Sequence, residues 1–258
     1  MMLRPLGDAE RIEAHRYGLY IARRCVSIVA DLQQGSPRDA MFDFKQLATE
    51  LYSAVLSDVL DEFGLSKQAM KPFVRPADEN LVLMGRARTG LFAPVYAVQE
   101  GENPYKYEIE LLDDLKAGDV PVLACGGPTD RIAPWGELLT TATLARGGVG
   151  CVTDGLVRDL RHIKRLNFPI FHGGIGPLDT RGRARMIERD TPVECGGVAV
   201  MSGDIVFGDI DGVVVIPQAR AAEVIDRARK KIVGENRTRD ELLKGRLLGE
   251  VYAEYGIL

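Results

Sequence analysis

Cysteine and histidine are scarce in this chain, and long apolar runs are missing altogether. Its 258 residues include four cysteines and three histidines. Cys25, Cys125, Cys151 and Cys195 are far apart and form no C-x-x-C pair. That pattern reads as reduced, mostly buried thiols of a cytosolic protein and excludes a disulfide framework. His15, His162 and His172 show no metal-ligand spacing, so no zinc centre is expected. His172, beside Gly173-Gly174, reads either as a structural or hydrogen-bonding histidine or as one lining a site. A basic excess is also lacking: 33 Lys and Arg against 37 Asp and Glu leave a formal charge of -4. No nucleic-acid partner is therefore expected. The densest basic cluster, Arg181, Arg183, Arg185 and Arg189, reads as a solvated or substrate-facing segment.

The longest apolar stretches, such as residues 213–216, fall far short of the ~20 residues a bilayer span takes. Residues 1–14 have no apolar h-region, so no signal peptide is expected and cytoplasm is the default location. There is no P-loop, and Gly147-Gly148-Val149-Gly150 is not G-x-G-x-x-G and precedes a strand instead of following one. No lysine has a recognisable Schiff-base setting. No internal repeat or low-complexity linker divides the chain.

What is present is an ordinary globular composition, 46% apolar and 27% charged, in a chain long enough for one sizeable core with appendages. Ile12, Leu19, Ala22, Val26 and Val29 recur on one helical face, with Asp8 as cap and Gly35 and Pro37 as stop. This predicts an appended N-terminal helix, and residues 1–45 are read as an extension. Helices are expected over 54–60, 107–116 and 137–146, with a short one from Asp159. Strands are expected over 81–89, 120–124, 149–153 and 169–172. Residues 198–201, 205–207 and 213–216 are short β-rich runs separated by turn signals, expected to form a small antiparallel meander. Residues 46–217 form the expected catalytic core, and 218–258 a C-terminal helix over 219–233 with a charged tail.

Two segments carry chemistry. In Trp135-Gly136-Glu137-Leu138-Leu139 a glycine leads directly into a helix whose free N–H groups can receive a carboxylate. In Asp154-Gly155-Leu156-Val157-Arg158-Asp159 a strand ends at an Asp-Gly turn and places an Arg and an Asp at the mouth of a sheet. The Arg can polarise a substrate oxygen while the Asp holds a hard cation. Taken alone, the dipeptide also reads as a surface ion pair or a helix cap.

The segment from Ser53 to Pro217 resembles the family that joins 4-hydroxy-4-methyl-2-oxoglutarate/4-carboxy-4-hydroxy-2-oxoadipate aldolases with the regulators of ribonuclease activity A. The resemblance is carried, in the family's order, by Ser57-Asp58-Val59-Leu60, Met84-Gly85-Arg86-Ala87-Arg88-Thr89, Ala117-Gly118-Asp119-Val120 and the two segments above. Ala145-Arg146-Gly147, Phe168-Pro169-Ile170-Phe171, Gly196-Gly197-Val198, Gly203-Asp204 and the run from Asp211 to Pro217 complete it. It implies an α/β fold, a compact α/β/β swivelling-type domain with N- and C-terminal helical extensions, assembled as a homotrimer or hexamer with active sites at subunit boundaries.

In the aldolase branch the resemblance implies Mg2+ or Mn2+ held largely through water by Asp159. Arg158 contacts the keto oxygen where enolate charge develops, and the amides of Leu138 and Leu139 receive the substrate carboxylate. Gly136 lets the backbone approach, and Glu137 stands near the metal waters. Glu235 is the best match for a further acidic residue acting from a neighbouring subunit, although it also reads as a solvated helix glutamate. The implied activity is cleavage of a 4-hydroxy-2-oxo acid, decarboxylation of oxaloacetate, or both, through a pyruvate enolate. The other branch implies a non-catalytic regulator of a ribonuclease or another assembly. As the resemblance has it, that branch lacks the Asp after the Arg. A related lyase or isomerase for a sugar-derived acid is a third expectation. Residues 1–45 have no counterpart in the smaller members, and Thr129-Asp130-Arg131-Ile132 reads as an insertion near the site.

Overall fold

The computed structural model describes residues 42–257. The N-terminal helix expected from Ile12 to Val29, with His15 and Cys25, lies outside the described residues. The description begins with α1 (Phe44–Glu50) and α2 (Ser53–Glu62). Asp43 caps α1 by accepting the Gln46 N–H at 3.0 Å. At the start of α2, Asp209 from a distant strand accepts the Ser53 N–H and hydroxyl at 2.8 and 2.7 Å. Those contacts satisfy donors that a helix start leaves open. Val55, Leu56, Val59 and Leu60 form the buried face of α2.

The middle of the chain supplies β1 (Arg75–Pro76), β2 (Leu83–Pro94), α3 (Lys106–Asp113), β3 (Asp119–Ala124), α4 (Glu137–Ala145), β4 (Cys151–Thr153), β5 (Leu156–Val157), α5 (Leu160–Ile163), β6 (Ile170–His172) and β7 (Gly174–Ile175). Then follow β8 (Ala184–Arg189), β9 (Val193–Cys195), β10 (Val198–Val200), β11 (Ile205–Asp209), β12 (Gly212–Ile216), α6 (Ala221–Leu243) and α7 (Leu248–Tyr255). The fold is α/β, as the sequence implies. The main sheet runs β1-β6-β4-β3-β2-β11-β12, with β8 also paired to β2. Its centre, from β2 through β3 and β4 to β6, is parallel. Every residue of β3 is buried, as a parallel strand covered on both faces requires. The two ends of the path approach each other, and the Arg75 guanidinium donates to the Asp211 carbonyl at 3.0 Å.

Alternation in β11 and β12 builds the core on both faces of this sheet. Ile205, Phe207, Val214 and Ile216 pack against residues of α1, α2 and α6. Val206, Val213 and Val215 point the other way, toward residues of β3, β4, β9 and β10. A third cluster joins α3 to Trp135, Val157, Phe168 and Ile170 beneath the segments of interest.

Several details differ from the sequence expectations, among them β2, which runs on to Pro94, and the expected charged tail, which holds α7. The C-terminal β-runs are not one meander: β10 pairs with β9, while β11 and β12 join the main sheet through β2. The basic cluster contains β8, whose Ala184 and Met186 point inward while Arg185 faces solvent. Arg185 pairs with Glu102, and Arg189 with Glu110, Asp114 and Asp190. Finally, the helix expected to end near 233 continues to Leu243. Ion pairs Arg229–Glu50, Arg227–Glu62 and Lys231–Asp58 tie its exposed face to α1 and α2.

Candidate functional site

The site grows from the Asp-Gly turn after β4. Asp154 is buried, and its carboxylate accepts the N–H groups of Cys125 at 2.6 Å and Gly127 at 2.8 Å. Burial pushes its carboxyl up, while these backbone donors favour the ionised form. The turn is thereby tied to the loop that follows β3. The next strand, β5, pairs with β7 on one side. On the other side Val157 bridges to Trp135, and the Arg158 N–H donates to the Trp135 carbonyl at 3.0 Å. The expected insertion takes part: the Ile132 carbonyl accepts from the Leu156 N–H at 3.1 Å. Two sequence segments are thus laid side by side.

Asp159 follows with φ 60° and ψ 21°, a left-handed conformation uncommon for a residue with a side chain. Its carbonyl accepts the N–H groups of His162 and Ile163, which starts α5. The turn swings the carboxylate back over Gly136, where Oδ2 accepts the Glu137 N–H at 3.3 Å. The Arg158 Nε lies 3.6 Å from the same oxygen. A Cβ at Gly136 would stand 2.7 Å from Asp159 Oδ2 and 3.1 Å from Arg158 Nε, so both side chains would have to shift to admit one.

The start of α4 is held from beneath by Trp135. Its ring is buried and stacked on Phe168, and its Nε1 donates to the Thr140 hydroxyl at 2.8 Å. That hydroxyl in turn donates to the Gly136 carbonyl at 3.0 Å. Glu137, Leu138 and Leu139 supply the first turn, whose N–H groups have no partner within the helix. The Leu138 side chain is 77% exposed, so this end of α4 opens to solvent. The Glu137 carboxylate accepts the Thr141 hydroxyl at 3.0 Å along the helix surface.

Sequence reasoning missed three residues here. Asp179, in the loop between β7 and β8, places Oδ1 3.3 Å from Arg158 Nη1. Tyr105 donates its hydroxyl to Asp179 Oδ2 at 2.6 Å. Glu108, 5% exposed, lies under the loop and accepts the Thr180 hydroxyl at 3.4 Å. Burial works against ionisation of Asp179, but the Tyr105 hydrogen bond, the Arg158 charge and nearby backbone N–H groups hold its carboxyl below the usual range. Glu108 is pushed up to about 8, first by burial and then by the Asp179 charge. Burial and Asp179 raise the Tyr105 hydroxyl to about 12. The available signal was the turn-rich run Gly173 to Pro177 leading into Asp179.

Gly136, Glu137, Arg158 and Asp159 come together, with the backbone of Leu138 and Leu139 on the same helical turn. Glu235 does not join them within one chain. It lies on α6, in the opposite layer, where its carboxylate accepts the Tyr52 hydroxyl. Both residues line a concavity of about 350 Å³ that includes none of the Arg158 group. His172 is buried on β6, and neither ring nitrogen takes a hydrogen bond from the described residues. Burial, with the Lys164 charge, holds its pKa below the usual value. Cys125, Cys151 and Cys195 are free thiols, each pushed up chiefly by burial.

Among the described residues no three His, Cys, Asp or Glu side chains gather as a metal cage. Beside the space at Gly136, Asp159 offers a hard carboxylate that is about half exposed. That arrangement fits a magnesium-type ion, which keeps several waters and uses one or two carboxylates. It is unlike the nitrogen and sulfur sets of zinc sites.

A family model described as RraA-like, Aldolase/RraA, matches residues 53–215. A protein of Halalkalibacterium halodurans named "Putative 4-hydroxy-4-methyl-2-oxoglutarate aldolase" is 32% identical over 192 residues, covering 74% of this chain and 85% of that one. Protein DlpA of Legionella pneumophila is 28% identical over 217 residues, 84% of this chain, but the match spans only 34% of DlpA. Among solved structures, Streptomyces coelicolor RraAS2, described as an unusual member of the RNase ES inhibitor RraA protein family, superposes with a TM-score of 0.66. It is 28% identical, with 75% of this chain and 96% of that one covered.

Proposed function

Because the chain belongs to the RraA-like, Aldolase/RraA family, we propose that it is a carbon–carbon lyase that releases pyruvate from 4-hydroxy-2-oxo acids and from oxaloacetate. The observation that carries this reading is the meeting of Arg158, Asp159 and the glycine-opened start of α4, where a single Cβ at Gly136 would close the space. The curated relative named as an aldolase supports the reaction class.

The substrate carboxylate binds the N–H groups of Leu138 and Leu139, where the helix start favours an anion. The keto oxygen then faces the Arg158 guanidinium. A water oriented by the site's carboxylates takes the C4 hydroxyl proton as the C3–C4 bond breaks, C4 becomes a carbonyl and the electron pair moves toward the C2 oxygen. Arg158 stabilises the enolate charge that develops there. Protonation at C3 yields pyruvate. Oxaloacetate follows the same course with CO2 leaving and needs no base, so both activities belong to one site. Asp159 would hold Mg2+ or Mn2+, and such an ion would supply Lewis acidity at the site. Glu137 stands beside that position, and Glu235 contributes from a neighbouring subunit of a trimer or hexamer.

A second reading, a non-catalytic regulator of a ribonuclease, is favoured by the likeness to RraAS2. The retained Asp159 favours the enzyme. A panel of 4-hydroxy-2-oxo acids and oxaloacetate, assayed for pyruvate with and without chelator, separates the two. The lyase reading expects turnover that chelation abolishes and magnesium or manganese restores. Full activity after exhaustive chelation would sink the metal's role, and no pyruvate from any substrate would leave the regulator.

A further inference from the structure

Arg158 is anchored twice, and only one anchor belongs to the Arg-Asp pair. Its Nε faces Asp159 at 3.6 Å, while its Nη1 faces Asp179 at 3.3 Å. Asp179 is itself fixed by groups from separate parts of the fold. Tyr105, just before α3, donates to Oδ2 at 2.6 Å, and the Thr180 N–H donates to Oδ1 at 2.8 Å. The Asp179 carbonyl accepts Arg183 Nη1 at 3.2 Å. One residue earlier, the Leu178 carbonyl accepts the Ala133 N–H at 2.9 Å, which fastens the loop to the segment that leads into Trp135. The second carboxylate therefore stands at a defined height beside the site, with Oδ2 for the tyrosine and Oδ1 shared between the Thr180 N–H and the arginine.

We infer that Asp179, locked by Tyr105, is a positioning residue that orients the Arg158 guanidinium toward the substrate keto oxygen. The inference rests on the proposed role of Arg158 and adds to it. An arginine held by Asp159 alone would lean on the carboxylate assigned to the cation. A second contact, at Nη1, restrains where the guanidinium sits. A stabilising role alone explains the arrangement poorly. The Arg158–Asp179 pair is about one-third exposed on each side, and pairs of that kind contribute little to folding. A small misplacement of a transition-state contact, by contrast, lowers turnover strongly.

The test uses Asp179→Asn, Asp179→Glu, Tyr105→Phe and Arg158→Lys in the full chain. Turnover and KM for oxaloacetate, melting temperature, and calorimetric affinity for oxalate, a planar mimic of the enolate, are measured for each. Asp179→Asn should lose about tenfold to a hundredfold in kcat. Its KM should change by less than about threefold, with a melting temperature near wild type. Tyr105→Phe should lose less, Asp179→Glu should recover part of the activity, and oxalate affinity should fall in the same order as kcat. Normal kcat and oxalate affinity in a folded Asp179→Asn variant, with Arg158→Lys impaired, would overturn the positioning role and leave the reading of Arg158 standing. Normal turnover in Arg158→Lys would remove both. A kcat loss matched by a loss of folded protein would reduce Asp179 to a structural residue, as would equal loss in Asn and Glu variants.

Discussion

Gly136 is the residue on which the others converge, and its role is spatial. Its φ of −154° is open to any residue, so an alanine there meets no backbone strain. The obstacle is the 2.7 Å approach to Asp159 Oδ2. Both neighbouring side chains are partly exposed and can give way, so the stability loss should stay near the low end of the ~1–3 kcal/mol typical of overpacking. Gly136→Ala should lower turnover roughly a hundredfold while the melting temperature falls by only a few degrees, as paired kinetics and thermal melts would show. Glu108 makes a different prediction. Its folded pKa is raised to about 8 from an unfolded value near 4.5. Between those values the native state binds a proton that the unfolded chain has released. Stability therefore falls with rising pH, by about 1.4 kcal/mol per pH unit at most, and levels off above the folded pKa. Glu108→Gln removes this slope, so its melting temperature should gain on wild type from pH 6 to pH 9. Parallel curves would show that Glu108 ionises normally. Arg158, Asp159 and Gly136 were legible because each sits in a short contiguous pattern. Tyr105, Glu108 and Asp179 were not, since each is an ordinary residue type until the fold brings α3 and the β7–β8 loop together.

Elements with a strong apolar period were the legible ones. The stripe of α2 and the all-buried β3 followed their patterns closely. β8 escaped because its outward residues are charged, and the inward Ala184 and Met186 were hidden among arginines. The second half of α6 escaped for the opposite reason. Beyond Val233 its only fully buried residue is Thr238, so there is little apolar stripe to read. That half carries Glu235, held by Tyr52 from the start of α2. If Glu235 serves a neighbouring subunit's site, Glu235→Gln should lower turnover without changing the oligomer measured by light scattering. A strictly monomeric protein with full activity would rule that role out. Tyr52→Phe frees the carboxylate without removing it and should change turnover much less than Glu235→Gln.

At the scale of the molecule, three packed clusters hold two chemically different layers apart. The helical layer of α1, α2 and α6 is laced by ion pairs, and the opposite edge carries Arg158, Asp159 and the open end of α4. No helix among the described residues is long and apolar enough to cross a membrane. The central claim is that Arg158 and Asp159 perform separable parts of one reaction, one stabilising enolate charge and the other holding the cation. The most direct test is pyruvate release as a function of magnesium concentration for wild type, Arg158→Lys and Asp159→Asn, each verified as folded. Arg158→Lys keeps the charge but loses the guanidinium geometry, and turnover should fall roughly 10²–10³-fold at every magnesium concentration. Asp159→Asn should instead shift the magnesium dependence upward, so that high concentrations restore part of its activity. Normal turnover by a well-folded Arg158→Lys variant, or an Asp159→Asn variant with the magnesium dependence of wild type, would contradict the account.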